Sequence, residues 1–312
     1  MKLKQGGIEV ISLETRDGMK LPLKGAWLDF GFSNFGAAAI EWQSQTGYKR
    51  NGSRIIDYRL LERRFNVLLG GSEVNNQRYE YWNQRAELLN ILRPNRGTGH
   101  NELTLTISRL DENGNPIKRA INCVYESGAE FEDFDEDSNQ FRVTAGLQFI
   151  ANNPLWFNPA SISLELVAST SEDLVFPITF PIIFGASGSV FATGALDYEG
   201  TWRAYPTITL EGPYESAQLV DNGTGATITM GVPISAGGSR IIRLSENGFE
   251  IVDNLGNSAF SELSSDSNLI DFYIPTVGQV ISGGSQSITV TLVGGDGSSG
   301  VTIDYDEMYY GI

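Results

Sequence analysis

Few side chains in this chain are suited to catalysis or to metal binding. Its 312 residues include one histidine, His100, and one cysteine, Cys123. A Ser-His-Asp or Cys-His site would need His100 or a substitute as its base, and no nucleophile-elbow motif accompanies this histidine. One histidine and one cysteine are too few for a tetrahedral zinc site, and a single cysteine excludes an internal disulfide framework. These residues predict neither an active site nor a zinc centre.

An acidic run at residues 130–137 is the second candidate, because carboxylates at alternate positions can bind calcium. An EF-hand loop beginning at Asp133 would need glycine in its sixth position and glutamate in its twelfth, where this chain has Ser138 and Thr144. A solvated loop of mutually repelling carboxylates explains the run better. Pairs of carboxylates at a glycosidase spacing carry little information in a chain with 38 acidic residues. We therefore predict no metal and no cofactor.

The composition is typical of a β-rich protein with two domains. At 312 residues, with 41% hydrophobic side chains, the chain is long enough for two domains of about 100–200 residues each. Its 35 glycines and the frequent alternation of valine, isoleucine and threonine favour strands joined by tight turns. The N-terminus has no apolar run after its charges, and no apolar segment reaches about 18 residues, so we predict neither a secretory signal nor a membrane span.

The charge is divided unevenly between the two halves of the chain. Residues 1–150 carry 19 lysines and arginines against 20 acidic residues. Residues 151–312 carry 18 acidic residues against three arginines, Arg203, Arg240 and Arg243, which leaves a net charge of −15. Such a negative field repels phosphate backbones and anionic lipid, so the second half is predicted to bind neither nucleic acid nor a membrane.

Two prolines mark the predicted domain boundary. Pro154 and Pro159 cannot donate a ladder hydrogen bond, so strand pairing should stop there. The three large apolar residues between them, 155–157, are too many for a solvated linker and should anchor the chain. Because the charge composition changes at the same point, we predict an N-terminal domain of residues 1–153 and a C-terminal domain of residues 154–312.

The first half predicts a β-sandwich-like domain with one flanking α-helix. The helix is expected over Gln77–Arg93, where apolar residues recur at spacings of three and four. This stripe consists of Tyr79, Trp82, Ala86, Leu89 and Leu92. Residues 54–69 have the pattern of one long strand whose apolar phase changes midway, as a bulge or a bend would explain. Asn113-Gly114 lies between two strand patterns and predicts a hairpin turn.

The second half predicts an antiparallel β-sandwich or jelly roll. Seven short alternating segments follow Thr201, and clusters of glycine, asparagine and aspartate separate them. Neither of the glycine clusters at 221–225 and 294–300 is followed by GK[ST] or by a helical pattern, so they indicate hairpin turns and not phosphate loops. Residues 175–184 are apolar with two prolines, which favours an extended arm or an edge strand.

Three segments together resemble the distal tail proteins of long, flexible-tailed bacteriophages and the related minor tail proteins. The first is the strand end at 149–157, FIANNPLWF. The second is 200–212, GTWRAYPTITLEG, and the third is the C-terminal series that includes 269–275, LIDFYIP, and 303–310, IDYDEMYY. The order of elements in the first half, a sheet, a basic strand, one helix and a hairpin, also fits this family.

The resemblance implies a non-enzymatic structural protein of the virion. In this family, N-terminal domains close into a hexameric ring at the distal end of the tail tube. Galectin-like C-terminal sandwiches project outward and join the tube to the tail-tip or receptor-binding apparatus. The expected partners are therefore other copies of the chain, the tail tube protein and a tail-tip, tail-fibre or receptor-binding protein.

Two sets of residues follow as candidate sites. Basic residues on one predicted strand could lie at the subunit interface of a ring: Arg54, Arg59, Arg63 and Arg64. The alternative function is carbohydrate binding by the C-terminal sandwich for host attachment, with stacking of sugars on Trp202, Tyr205 or Tyr214. A glycosidase is the third hypothesis, and no motif supports it.

Overall fold

The computed structural model describes residues 8–23, 27–48, 51–72, 78–96, 101–111, 113–134, 142–167 and 189–312. The described chain is mainly β, which confirms the predicted class. Contacts divide the chain into two compact units: unit 1 is Met1–Pro159 with Tyr309–Ile312, and unit 2 is Ala160–Met308. The division follows Pro159 instead of Asn153, and it returns the four C-terminal residues to the first unit.

The described part of unit 1 contains one large antiparallel sheet and one helix. Its main strands are ordered β2-β1-β7-β8-β10-β6-β3, and β4 and β5 form a separate two-stranded sheet. The elements are β1 (Ile8–Thr15), β2 (Lys20–Pro22), β3 (Trp27–Ser33), β4 (Ile40–Gln45), β5 (Arg54–Leu60), β6 (Arg63–Ser72), α1 (Arg78–Leu92), β7 (Leu103–Leu110), β8 (Pro116–Ser127), β9 (Glu132–Phe134), β10 (Arg142–Ala151) and β11 (Trp156–Phe157).

Alternation along β6 places the core of unit 1. Phe65, Val67 and Leu69 are buried, and the residues between them are exposed, as expected for a strand with one covered face. Phe65 pairs in register with Phe149 of β10, and their rings stack with centroids 5.4 Å apart. Trp156 is fully buried in the same core, so the residues between the two prolines do anchor the chain.

The segment 54–69 forms two strands and not one. Leu61 and Glu62 separate β5 from β6, and the two strands belong to different sheets. The register of β5 against β4 also slips by one residue between Gln43 and Ser44, so a bulge is present inside β5. The change of apolar phase therefore has two causes, a bulge and a complete break between sheets.

Helix α1 has the predicted extent within one residue at each end, but it buries a different face. Leu88, Ile91 and Leu92 are buried, whereas Trp82 and Leu89 are 44% and 42% exposed. The predicted stripe is thus wrong at Trp82, Ala86 and Leu89 and right at Leu92, and the side chain of Tyr79 lies outside the described part. The sheet packs against the aliphatic face of the helix. The predicted stripe and the buried stripe share Leu92 and have similar spacing, so spacing alone could not show which of them is buried.

Unit 2 is an antiparallel sandwich of two sheets, as the sequence predicts. One sheet has the order β12-β20-β14-β17-β18, and the other has the order β13-β19-β15-β16. Their inward side chains form one continuous core. The strands are β12 (Ile162–Val167), β13 (Ser189–Ala195), β14 (Thr207–Glu211), β15 (Ser216–Asp221), β16 (Thr227–Met230), β17 (Ser239–Ser245), β18 (Gly248–Asp253), β19 (Ser287–Val293) and β20 (Gly300–Tyr305), and a short β21 (Met308–Tyr309) follows.

The predicted hairpin turn at Asn113-Gly114 joins β7 to β8. One carboxylate oxygen of Asp111 accepts hydrogen bonds from the backbone amides of Asn113 and Asn115, and Gly114 has a φ of 84°. These bonds to the ionised form hold the pKa of Asp111 below its ordinary value. The glycine is required because L side chains rarely adopt this φ.

Three sequence interpretations fall outside the described residues. They concern His100, the acidic loop beyond Phe134, and the apolar arm at 175–184.

A carboxylate in the β1–β2 turn should make the stability of unit 1 depend on pH. Arg96 donates to both carboxylate oxygens of Asp17 at 3.0–3.2 Å, and the hydroxyl of Thr15 also contacts this carboxylate. The Arg96 bonds, followed by the Thr15 contact, lower the pKa of Asp17 to about 2. The contribution of Asp17 is therefore fully present above the ordinary pKa near 3.8, and it is lost as pH falls towards about 2.

We expect Asp17→Asn to lower the Tm of the protein at pH 6 and to lower it progressively less as the pH falls below 4. Calorimetry of wild type and variant between pH 3 and pH 6 measures the difference. Arg96→Gln should produce the same loss, and the double variant should lose little more than either single one. A Tm difference that is unchanged at pH 3 would refute the assignment.

Candidate interaction surfaces

Strands β4 and β5 form an amphipathic ribbon. Three cross-strand pairs define its alternation: Ile40 faces Leu60, Glu41 faces Arg59, and Trp42 faces Tyr58. The first and third pairs lie on one face, and the ion pair of Glu41 with Arg59 lies on the other face. Beyond Trp42, the bulge brings Ile55 opposite Ser44, on the side of Trp42, and leaves Ile56 as the extra residue.

The apolar face of this ribbon is exposed. Trp42 is 56% exposed, Ile55 is 58% exposed and Ile56 is 61% exposed, although an apolar face at this period normally packs on a core. The rings of Trp42 and Tyr58 lie side by side with centroids 5.8 Å apart. We call the set Ile40, Trp42, Ile55, Ile56, Tyr58 and Leu60 the ribbon surface. An isolated two-stranded hairpin is at best marginally stable in water, so this face is suited to bind another protein surface.

Three of the four predicted interface arginines are exposed. Arg54 begins β5 and lines an open pocket of about 400 Å³ in the loop between β4 and β5. Arg59 is on the polar face of the ribbon, paired with Glu41. Arg64 contacts Glu62 at 3.0 Å and Glu126 at 3.4 Å.

Arg63 differs from Arg64 in that its side chain is buried, with 4% of the residue exposed. Its guanidinium donates to four backbone carbonyls, and its Cζ lies 5.9 Å from the centroid of the Trp156 ring. The acceptors are the carbonyl oxygens of Pro154 at 2.9 Å, Asn34 at 3.0 Å, Gly36 at 2.6 Å and Tyr310 at 3.1 Å. Burial lowers the pKa of Arg63 from its ordinary value. The residue therefore holds four segments of unit 1 together, and its side chain does not lie at an open surface.

The outer face of helix α1 is a second exposed apolar area of unit 1. It consists of Trp82, Ala86 and Leu89, which we call the helix surface. The guanidinium carbon of Arg85 lies 5.0 Å from the ring centroid of Trp82 and 4.5 Å from that of Phe131. Because Phe131 is 5% exposed, Arg85 connects the helix surface to the core beneath it.

The three aromatic residues predicted for sugar stacking in unit 2 lie in different environments. Tyr214 is 2% exposed and belongs to the core, which raises its pKa through burial and leaves no face of its ring open to a ligand. Trp202 is half-buried, and its backbone amide bonds to the carbonyl of Met308 at 3.0 Å. Tyr205 is also half-buried, so of the three predicted residues only Trp202 and Tyr205 reach the surface.

Tyr205 belongs to a cluster that the sequence did not indicate. Its ring centroid lies 6.1 Å from that of Tyr273, and the Cζ of Arg203 lies 5.7 Å and 5.3 Å from the two rings. Burial raises the pKa of Tyr205. Tyr273 also lines an open pocket of about 210 Å³ with Asn268 and Asp271. An aromatic ring beside an amide and a carboxylate is a chemistry that can hold a neutral hydroxylated ligand.

The described part of the chain contains no group of three or more histidine, cysteine or acidic side chains placed to hold a metal. Nor does any helix of that part have the length and apolar character needed to cross a membrane. Cys123 is 2% exposed, and burial raises the pKa of its thiol. A thiol in this state is unsuited to nucleophilic attack.

The fold is shared with a bacteriophage protein. The crystal structure of the SPP1 Dit protein, described as a paradigm of the hub adsorption apparatus in phages that infect Gram-positive bacteria, superposes with a TM-score of 0.57 and 15% identity. The match covers 96% of this chain and 99% of that chain. A chain of the phage P2 baseplate in its activated, calcium-containing conformation gives a TM-score of 0.44 and 9% identity, with 95% and 97% coverage. No family model matches the sequence, and no curated protein matches it.

Proposed function

We propose that this chain is a distal tail protein, a structural component of the hub at the end of a bacteriophage tail. The observation that carries the proposal is the likeness to the SPP1 Dit protein over nearly the full length of both chains. A match to one unit alone would show only a sandwich fold that many proteins share. The match to the SPP1 Dit protein includes both units in the same order. The three sequence segments that resemble distal tail proteins point the same way.

The proposed activity is assembly, without catalysis. Unit 1 closes a ring with five further copies at the distal end of the tail tube, and unit 2 joins that ring to tail-tip, tail-fibre or receptor-binding proteins. The charge distribution supports this division. Unit 1 carries 19 basic and 20 acidic residues, since neither 151–159 nor 309–312 contains a charge, whereas unit 2 carries three arginines and 18 acidic residues. Self-association through unit 2 would bring like charges together.

Light scattering and electron microscopy of the purified full-length protein test the proposal. A hexamer has six times the subunit mass of 34.1 kDa, about 205 kDa. We expect rings of this mass, and antibody against the chain should label the distal end of the tail on intact virions. A protein that stays monomeric at all concentrations, together with label elsewhere on the virion, would refute it.

The Tyr205–Tyr273 cluster supports a second candidate function, carbohydrate binding by unit 2. Its half-buried rings, with Asp271 and Asn268 in the adjoining pocket, offer stacking and hydrogen-bonding groups to a sugar. Because unit 2 is strongly acidic, a neutral saccharide is favoured over an anionic one. A glycan array probed with the full chain should show binding that Tyr273→Ala abolishes and that Phe191→Ala, a change at an exposed ring on β13 that does not line the pocket, leaves intact. An array without signal removes this candidate.

A further inference from the structure

The ribbon surface is an apolar face that belongs to neither core cluster of the described residues. Strand alternation normally buries such a face, because moving apolar area out of water is the main driving force for folding. Here Trp42, Ile55 and Ile56 are each more than half exposed. The opposite face carries Gln43 and Asp57 in register, together with the Glu41–Arg59 pair, so the ribbon has one side suited to water and one suited to a partner.

We propose that the ribbon surface of one copy docks on the helix surface of the next copy in the assembly. This inference rests on the proposed ring and names the two surfaces that would close it. A ring of more than two subunits needs a heterologous interface, in which one patch of each copy meets a different patch of its neighbour. Unit 1 offers two such patches among its described residues: the ribbon surface, and the helix surface with Trp82 and Leu89 at 44% and 42% exposure.

The charge of unit 1 favours a second copy of the chain as the partner that covers the ribbon surface. Unit 1 is nearly neutral, so two copies can approach through it without large repulsion. The aromatic composition also fits a protein interface, since tryptophan and tyrosine are the side chains that most often anchor one. Trp42 and Tyr58 supply such an anchor on the ribbon, and Trp82 supplies one on the helix.

Adjacent substitutions on opposite faces of the ribbon test its role. Trp42→Asp puts a charge on the apolar face, and Gln43→Asp puts the same charge on the polar face one residue away. Both positions are exposed in the subunit, so neither change should unfold unit 1. We expect Trp42→Asp to weaken subunit association by about 30-fold or more, as loss of an interface anchor does, while Gln43→Asp assembles like the wild type. Equal assembly of the two variants would overturn the proposal.

Cross-linking tests the helix as the receiving surface. Ile56→Cys and Leu89→Cys are prepared as separate proteins and mixed under oxidation, with Gln43→Cys and Leu89→Cys as the matched control pair. The native Cys123 is buried and should not react. We expect a disulfide-linked dimer from the first mixture and none from the second.

The failure of this inference can be told apart from failure of the ring. A wild type that never assembles contradicts the proposed function. A wild type that assembles while the Ile56→Cys and Leu89→Cys mixture gives no heterodimer, or while Ile56→Cys links only to itself, contradicts the pairing of these two surfaces.

Discussion

Arg63→Ala is expected to lower the free energy of unfolding of unit 1 by about 3–5 kcal/mol, because it breaks a buried hydrogen-bond network and leaves its acceptors unsatisfied. Four carbonyl oxygens from three segments of the chain would lose their common donor. An unsatisfied buried acceptor costs about 1–3 kcal/mol each, although relaxation and water entry reduce the sum. Arg63→Lys should recover little, because an ammonium group cannot reproduce the fork of a guanidinium.

Urea unfolding followed by tryptophan emission measures this loss, since four of the five tryptophans, Trp27, Trp42, Trp82 and Trp156, lie in unit 1. Arg64→Ala is the matched control at the next position. Its side chain is 60% exposed, so the expected loss is below about 1 kcal/mol. Equal losses from the two substitutions would show that the hydrogen bonds of Arg63 do not add to the free energy of unfolding.

Gly128→Ala is expected to destabilise unit 1 by at least about 3 kcal/mol, because it combines an unfavourable φ with a clash against backbone. Gly128 has a φ of 96°, and a Cβ there would lie 1.8 Å from the carbonyl oxygen of Gly146. That carbonyl belongs to β10, which is held between β8 and β6. The clash therefore requires a central strand to move, and no flexible side chain can absorb it.

Gly114→Ala separates the two contributions to this loss. Gly114 has a similar φ of 84°, but a Cβ there meets nothing within 4 Å. We expect a loss of about 1–2 kcal/mol from the backbone conformation alone. Thermal unfolding of both variants gives the comparison, and a Gly128→Ala loss no larger than that of Gly114→Ala would show that β10 moves at little cost.

Local patterns predicted those parts of the fold whose causes are local. The C-terminal end of α1 follows from Pro94, and the Asn113-Gly114 turn follows from glycine chemistry within two residues. The antiparallel sandwich of unit 2 follows from short alternating segments between turn clusters. Each of these signals is complete in the sequence segment that forms the element.

The interaction surfaces depend on packing, and packing is not local. Arg63 and Arg64 are adjacent residues of the same type, yet strand alternation sends one into the core and the other to solvent. The stripe on α1 was displaced because two apolar faces satisfy the same spacing. Residues 40–42 and 58–60 alternate between apolar and polar side chains, which indicates a strand with one apolar face. The bulge at Ile55 and Ile56 interrupts this alternation. A sequence pattern also does not show whether such a face packs on its own core or on another chain.

The return of Tyr309–Ile312 to unit 1 has a consequence for the order of events on the ribosome. Arg63 and Tyr310 are joined by a hydrogen bond across 247 positions of sequence, and Arg119 lies 3.5 Å from the ring centroid of Tyr309. Domains generally fold as units while the chain is being made. Unit 2 can do so as soon as it emerges, whereas unit 1, although its synthesis begins first, lacks these contacts until Tyr309 and Tyr310 have been made. The unit proposed to close the ring is then completed after unit 2, so the proposed ring closure has to wait until both units have been synthesised.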